Sequence, residues 1–205
     1  ITRHPETASL SFIGKTQKGV EIPAVRIAGK TRNVKLRVLF LGRVHGDEPG
    51  STESMLYTMD RLLNDPDLAY LLERLEITII PMVNIDGGSH LERVTANTLD
   101  LNRDQSKLAD PVTLLLKKAY KKWKPEIALD IHEFNPFRKE FELLRGTKAA
   151  TAADVLFLPS GHLNIPAGIR TLSNGLFREE AEKALEANGY HSGFYFTPSV
   201  RNDSL

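Results

Sequence analysis

The sequence contains no cysteine and one tryptophan, and neither sign of charge is in excess, with 27 Lys and Arg against 26 Asp and Glu. Without cysteine there are no disulfides and no thiolate ligands, so any bound metal must be held by His, Asp or Glu. That absence is compatible with a cytoplasmic, periplasmic or secreted location. A formal net charge of +1 leaves no electrostatic footprint for nucleic acid or an anionic membrane. The longest basic runs are the pairs Lys117-Lys118 and Lys121-Lys122, which read as the wet face of a helix. No apolar run approaches the length of a membrane span.

What is present is an ordinary globular composition: 205 residues, 41% hydrophobic and 26% charged, enough for one well-filled core. The expectation is a single domain over residues 1–205. The chain starts at Ile1 and stops in the polar stretch SVRNDSL, so both ends are expected to be incomplete.

The most informative stretch is LRVLFLGRVHGDEPG, residues 36 to 50. Leu36, Val38, Leu39, Phe40 and Leu41 read as a buried strand ended by Gly42. His45 and Glu48 follow in a turn, where an imidazole and a carboxylate three residues apart can converge on one cation. Before this strand, residues 8 to 29 read as a hairpin around Lys18-Gly19, with Leu10, Phe12, Ile22, Val25 and Ile27 inward. After it, Met55, Leu56, Met59, Leu62 and Leu63 mark one face of a helix over residues 51 to 63. Asp65-Pro66 opens a short helix to Arg74, and residues 75 to 84 supply another buried strand, broken at Pro81.

Asn84, Asp86, Gly87 and Gly88 form a turn that leads into a loop running to Asp104. Asp110-Pro111 caps a helix to Trp123, with Val112, Leu115, Leu116, Ala119 and Trp123 inward. In PEIALDIHEF, residues 125 to 134, the strand residues Ile127, Leu129 and Ile131 deliver His132 as a third ligand candidate. Beyond it, β-like pieces over residues 141 to 144 and 155 to 158 flank a soft loop. A final helix over residues 170 to 188 carries Leu172, Leu176, Phe177, Ala184 and Leu185 on one face, capped by Gly189. Strands alternating with helices predict an open, mixed but mostly parallel α/β sheet with helices on both faces. In such sheets sites gather at the C-terminal ends of strands, where His45, Glu48 and His132 all fall.

Four segments in order resemble the zinc metallocarboxypeptidase family. HGDE at 45 to 48 is similar to its H-x-x-E pair, and PMVNIDGG at 81 to 88 to its P-x-x-N-P-D-G turn, with Ile85 in place of the proline. DLNRD at 100 to 104 matches its D-x-N-R segment, and DIHE at 130 to 133 its third-ligand strand. FIGKTQKGVEIPAVRIAG, residues 12 to 29, also resembles the family's early hairpin pattern. The resemblance implies one Zn2+ ion held by His45, Glu48 and His132, with a fourth position open for water. It further implies that Asp100 hydrogen-bonds a zinc histidine, where the residue's own context allows a helix or turn cap equally. Asn102 and Arg103 would bind a free substrate carboxylate, and Arg93 would polarise the scissile carbonyl. Tyr195, in GYHSGFYFTPS, matches a mobile tyrosine over the substrate, or else an aromatic cluster with Phe194 and Phe196.

Arg43 reads as a surface salt bridge, and His4, His90, His162 and His191 as structural or exposed. The family's general base, a Glu near the end of a late strand, has no counterpart. Glu179, Glu180, Glu182 and Glu186 read as the solvated face of the last helix, so the base is expected beyond Leu205. The implied activity is hydrolysis of the C-terminal peptide bond. The alternatives are an N-acyl amino acid deacylase of the succinylglutamate desuccinylase and aspartoacylase type, which would take a small acylated amino acid, and a non-catalytic zinc or peptide-binding relative.

Overall fold

The computed structural model describes residues 1–30, 36–136 and 153–195. It falls into two compact units, Ile1–Glu133 and Phe134–Leu205.

In the first unit, β1 (Ala8–Lys15) and β2 (Glu21–Ala28) form the antiparallel hairpin around Lys18-Gly19. Then come β3 (Leu36–Gly42), α1 (Pro49–Asn64), a 3-10 turn at Pro66–Leu68, α2 (Ala69–Arg74) and β4 (Leu75–Ile80). Two single-turn helices, α3 (Ile85–Gly88) and α4 (Leu101–Asp104), punctuate the long loop before α5 (Pro111–Trp123) and β5 (Ile127–Ile131). Both Asp-Pro pairs start helical segments through the aspartate: Asp65 accepts from the Asp67 N–H and Asp110 from the Val112 N–H.

The sheet order is β1-β2-β4-β3-β5, antiparallel on the hairpin side and parallel for β4/β3 and β3/β5. Alternation along β4 divides the core. Ile77 and Ile79 join Met55, Met59 and Leu62 of α1 and Leu72 of α2 in one cluster. Ile80 joins Leu101 of α4 and Val112 and Leu116 of α5 in the other. Helices therefore cover both faces, as the mixed α/β pattern requires.

Several inward assignments need correction. Leu10 and Phe12 are half exposed, because β1 is the edge strand and α1 and α2 lie mainly over β2, β3 and β4. Leu56 is exposed on the outer side of α1, whereas Leu115 of α5 packs against the core as expected, with Thr113 of the same helix fully buried. Leu36 at the start of β3 is exposed too.

This topology brings the ligand segments together. β3 and β5 are parallel neighbours with Gly42 opposite Ile131, so the loop carrying His45 and the residue His132 leave the sheet at the same edge. The loop then lies directly on the turn after β4. Val83 and Asn84 donate backbone hydrogen bonds to the Gly42 and Arg43 carbonyls at 2.9 and 3.0 Å, and Gly46 donates to the Arg93 carbonyl. Glycine is required on both sides of that approach. A Cβ on Gly46 would overlap the backbone of Gly87, Gly88 and Glu92, and one on Gly87 would overlap the Val94 carbonyl.

The second unit contains β6 (Val155–Phe157) paired in parallel with β7 (Ser192–Phe194). Its helix begins three residues earlier than expected, as α6 (Ala167–Leu172), and continues through a π-helical turn at Ser173–Phe177 into α7 (Arg178–Ala187). The widened turn contains Gly175, and Asn174 donates to the Arg170 and Ser160 carbonyls there. Leu172, Leu176 and Phe177 are exposed within this unit, against the expected buried face. Among the described residues of this unit the only strands are the three-residue β6 and β7. Gly189 follows the helix at φ +81°, as its capping role requires. The β-like piece at 141 to 144 lies outside the described residues.

Gly46→Ala and Gly87→Ala should each destabilise the protein by about 1–3 kcal/mol through overpacking. Gly168→Ala, where an added Cβ meets nothing within 4 Å, should be neutral or slightly stabilising. Urea unfolding midpoints check this, and a Gly46→Ala midpoint equal to wild type would contradict the close approach.

Candidate metal centre

His45 is buried at 3% exposure, three residues past the end of β3. Its Nδ1 lies 2.7 Å from Glu48 Oε1, and its Nε2 lies 3.2 Å from Asp100 Oδ1. His132, just past β5, repeats the arrangement: Nδ1 is 2.8 Å from Glu48 Oε2, and Nε2 is 3.1 Å from Asp130 Oδ2. The ring centroids stand 4.7 Å apart. One ligand atom from each of His45, Glu48 and His132 lies within 4.8 Å of the others. Each imidazole turns Nδ1 inward and has its other nitrogen on a carboxylate, an arrangement that fixes the tautomer a cation needs.

Glu48 precedes Pro49 at the start of α1, in the N-cap position, yet its side chain caps nothing in the helix. Both its oxygens face the histidines. Glu133 supplies the missing acceptor, its Oε1 taking a short hydrogen bond from the Gly50 N–H, while the Glu133 N–H donates to Glu48 Oε2 at 3.2 Å. The strand end carrying His132 is thus bound to the helix start carrying Glu48.

Asp100 does both things its sequence context allows. The same Oδ1 that meets His45 accepts from the Asn102 N–H at 2.8 Å, capping α4. Its Oδ2 accepts from Arg93 Nε and Nη2 at 3.1 and 2.8 Å. That leaves Arg93 Nη1 pointing into the cluster, 3.2 Å from His45 Nδ1 and 4.0 Å from Glu48 Oε1. Asn84 steadies the same segment by donating to the Arg93 carbonyl while accepting from the Gly87 N–H. Asn102 is half-buried and Arg103 exposed, and neither side chain has a hydrogen-bond or ion-pair partner among the described residues. Tyr195 lies in the second unit, where its N–H donates to the Phe157 carbonyl.

Arg43 departs from the surface salt bridge expected of it. It is 7% exposed, at φ +54°, and its guanidinium donates to the Gly46 and Gly88 carbonyls at 2.9 and 3.1 Å. It joins the ligand loop to the turn after β4. Asp86, expected only in that turn, is buried and accepts from Thr16 Oγ1 and the Lys18 N–H, which ties the turn to the hairpin. Asp130 and Glu133 carried a usable signal that sequence reading passed over. Asp130 is two residues before His132 on a strand, hence on the same face, and Glu133 is adjacent to His132.

Burial of Glu48 opposes its ionisation, but hydrogen bonds from His132 and His45 outweigh it and hold the carboxyl at about 2. Burial likewise opposes a charge on His132, and the hydrogen bonds to Asp130 and Glu48 override it, raising the imidazole to about 10. For Asp100, burial is again outweighed, here by Arg93, and its pKa is lowered. Two imidazole nitrogens and one carboxylate, with no thiolate and two supporting aspartates, fit a three-ligand zinc site of the catalytic kind.

A family model described as zinc carboxypeptidase matches residues 1–127. Carboxypeptidase 2 of Trichophyton rubrum is 36% identical over 195 residues, covering 89% of this chain and 35% of that protein. The chain spans about a third of the length of the curated relatives it matches. Among solved structures, carboxypeptidase A from Helicoverpa armigera superposes with a TM-score of 0.73 at 18% identity, covering 94% of this chain and 54% of that one. An aspartoacylase family protein from Mesorhizobium loti gives 0.51 at 17% identity, covering 64% and 42%. At those identities the two superpositions show a shared fold.

Protonation of the metal-free protein should follow from these shifts. The Glu48 contribution is complete above its ordinary value of 4.5 and is lost as pH falls towards about 2. The His132 contribution is complete below 6.5 and is lost as pH rises towards about 10. Thermal unfolding of chelator-treated protein should therefore peak between these two ordinary values and decline on both sides. Glu48→Gln should flatten both limbs, and a variant profile matching wild type would contradict the assignment.

Proposed function

The chain belongs to the zinc carboxypeptidase family, and from that premise we propose that it hydrolyses the C-terminal peptide bond of peptides with a free carboxylate, using one zinc ion. The observation that carries this reading is the convergence of His45 Nδ1, Glu48 and His132 Nδ1 at the shared C-terminal edge of β3 and β5. A bound zinc ion supplies Lewis acidity and a water whose pKa is lowered towards about 7.

The chain's own residues cover metal binding, charge stabilisation and the grip on substrate. His45, Glu48 and His132 would hold the ion, with Asp100 keeping the His45 proton on Nε2. Arg93, anchored on Asp100 through Nε and Nη2, presents Nη1 beside the ligands, where a developing oxyanion would receive it. Asn102 and Arg103, whose side chains have no partner among the described residues, begin two residues after Asp100, and the planar guanidinium suits a two-pronged grip on the substrate's terminal carboxylate. Glu179, Glu180 and Glu182 of α7 are in ion pairs within their own helix and are given no catalytic task.

A second reading, deacylation of N-acyl amino acids, draws on the fold shared with the aspartoacylase family protein. The peptidase reading has in addition the DLNRD segment and the early hairpin.

Zinc-loaded full-length protein should cleave peptides with free but not amidated C-termini and leave N-acyl amino acids intact. Turnover of acyl amino acids alone would transfer the assignment to the deacylases, and stoichiometric zinc without either turnover would favour a binding role. Arg93→Ala should lower kcat by about 10²–10³, Arg103→Ala should chiefly raise KM, and His132→Ala should lose the zinc.

A further inference from the structure

We propose that Asp130 is a positioning residue for the third metal ligand, doing for His132 what Asp100 does for His45. The inference rests on the metal-centre reading above and extends it to a residue outside that ligand set.

The argument begins with strand geometry. Asp130 and His132 are two residues apart at the C-terminal end of β5, so their side chains leave the same face. The Ile131 pairing with Gly42 fixes that end of the strand against β3. Asp130 Oδ2 then sits 3.1 Å from His132 Nε2 and accepts its hydrogen bond, while Nδ1, 2.8 Å from Glu48, donates to that carboxylate in the metal-free protein and would turn its lone pair to a bound cation. The same two-sided arrangement surrounds His45, with Asp100 on Nε2 and Glu48 on Nδ1.

The two supports differ in one respect. Arg93 neutralises Asp100, whereas among the described residues the ion-pair partner of Asp130 is His132 itself. The full carboxylate charge therefore acts on the His132 imidazole, making it the more basic donor of the pair. Asp130 is itself exposed at the strand end, and what sets it apart is the contact with Nε2; an aspartate that merely capped a turn would bond backbone N–H groups instead.

The test is zinc affinity, by competition with a chromophoric chelator, and the visible absorption of the cobalt-substituted protein. It compares wild type, Asp130→Ala and the isosteric Asp130→Asn, each checked for native circular dichroism. Asp130→Ala should bind zinc about 10- to 100-fold more weakly and shift the cobalt bands. Asp130→Asn, which keeps an acceptor and loses the charge, should fall between. Wild-type affinity and an unchanged cobalt spectrum in both variants would overturn the role of Asp130 alone. Absence of zinc uptake by wild type would overturn the metal centre and this role together.

Discussion

Everything at this edge of the sheet is organised by one carboxylate. Glu48 places one oxygen on His45 and the other on His132, and so joins the loop after β3 to the end of β5. A carboxylate that is 12% exposed is stable only with its charge answered, and two imidazoles with a backbone N–H answer it. The same satisfaction makes the cluster a cation site, because a divalent ion replaces shared protons among donors already facing one another.

Holding that carboxylate in place requires backbone surfaces to meet at closer range than side chains permit. Gly46 and Gly87 provide the contact, and Arg43 secures it by donating to carbonyls on both sides. Arg43 itself adopts a left-handed backbone that costs about 1–2 kcal/mol for a residue with a Cβ. Its two charge-assisted hydrogen bonds, each worth about 1.5–3 kcal/mol, offset that. The HGDE and NIDGG segments are therefore two halves of one interlock, although α1, α2 and β4 separate them along the chain.

Much of this was legible beforehand, and the misses have a common cause. Local signals such as Asp-Pro starts, the Lys18-Gly19 turn and the β3 and β4 apolar runs gave elements close to those observed. The chain order also pointed to the convergence of His45 past β3, Glu48 at the start of α1 and His132 past β5. What failed depended on neighbours. Leu10 and Phe12 alternate correctly but lie on the edge strand, and Leu56 falls just off the stripe that α1 presents to the sheet. Arg43 looked like a surface charge because nothing local shows that carbonyls from two loops surround it. Asp130 and Glu133 become meaningful only when β5 is set beside the start of α1.

That last juxtaposition has a mechanical consequence. A helix start exposes unpaired N–H groups, and the residue placed to cap α1 is Glu48, whose side chain is committed to the histidines. Glu133 takes over the acceptor's task at Gly50. Because Glu133 also adjoins His132, the helix cannot shift without moving His132, and β5 cannot slide without uncapping the helix. Ligand spacing is thus set by backbone hydrogen bonding at the strand ends and by the helix start, before any cation contributes. Such preorganisation is what a three-ligand site needs if its fourth position is to stay open for chemistry.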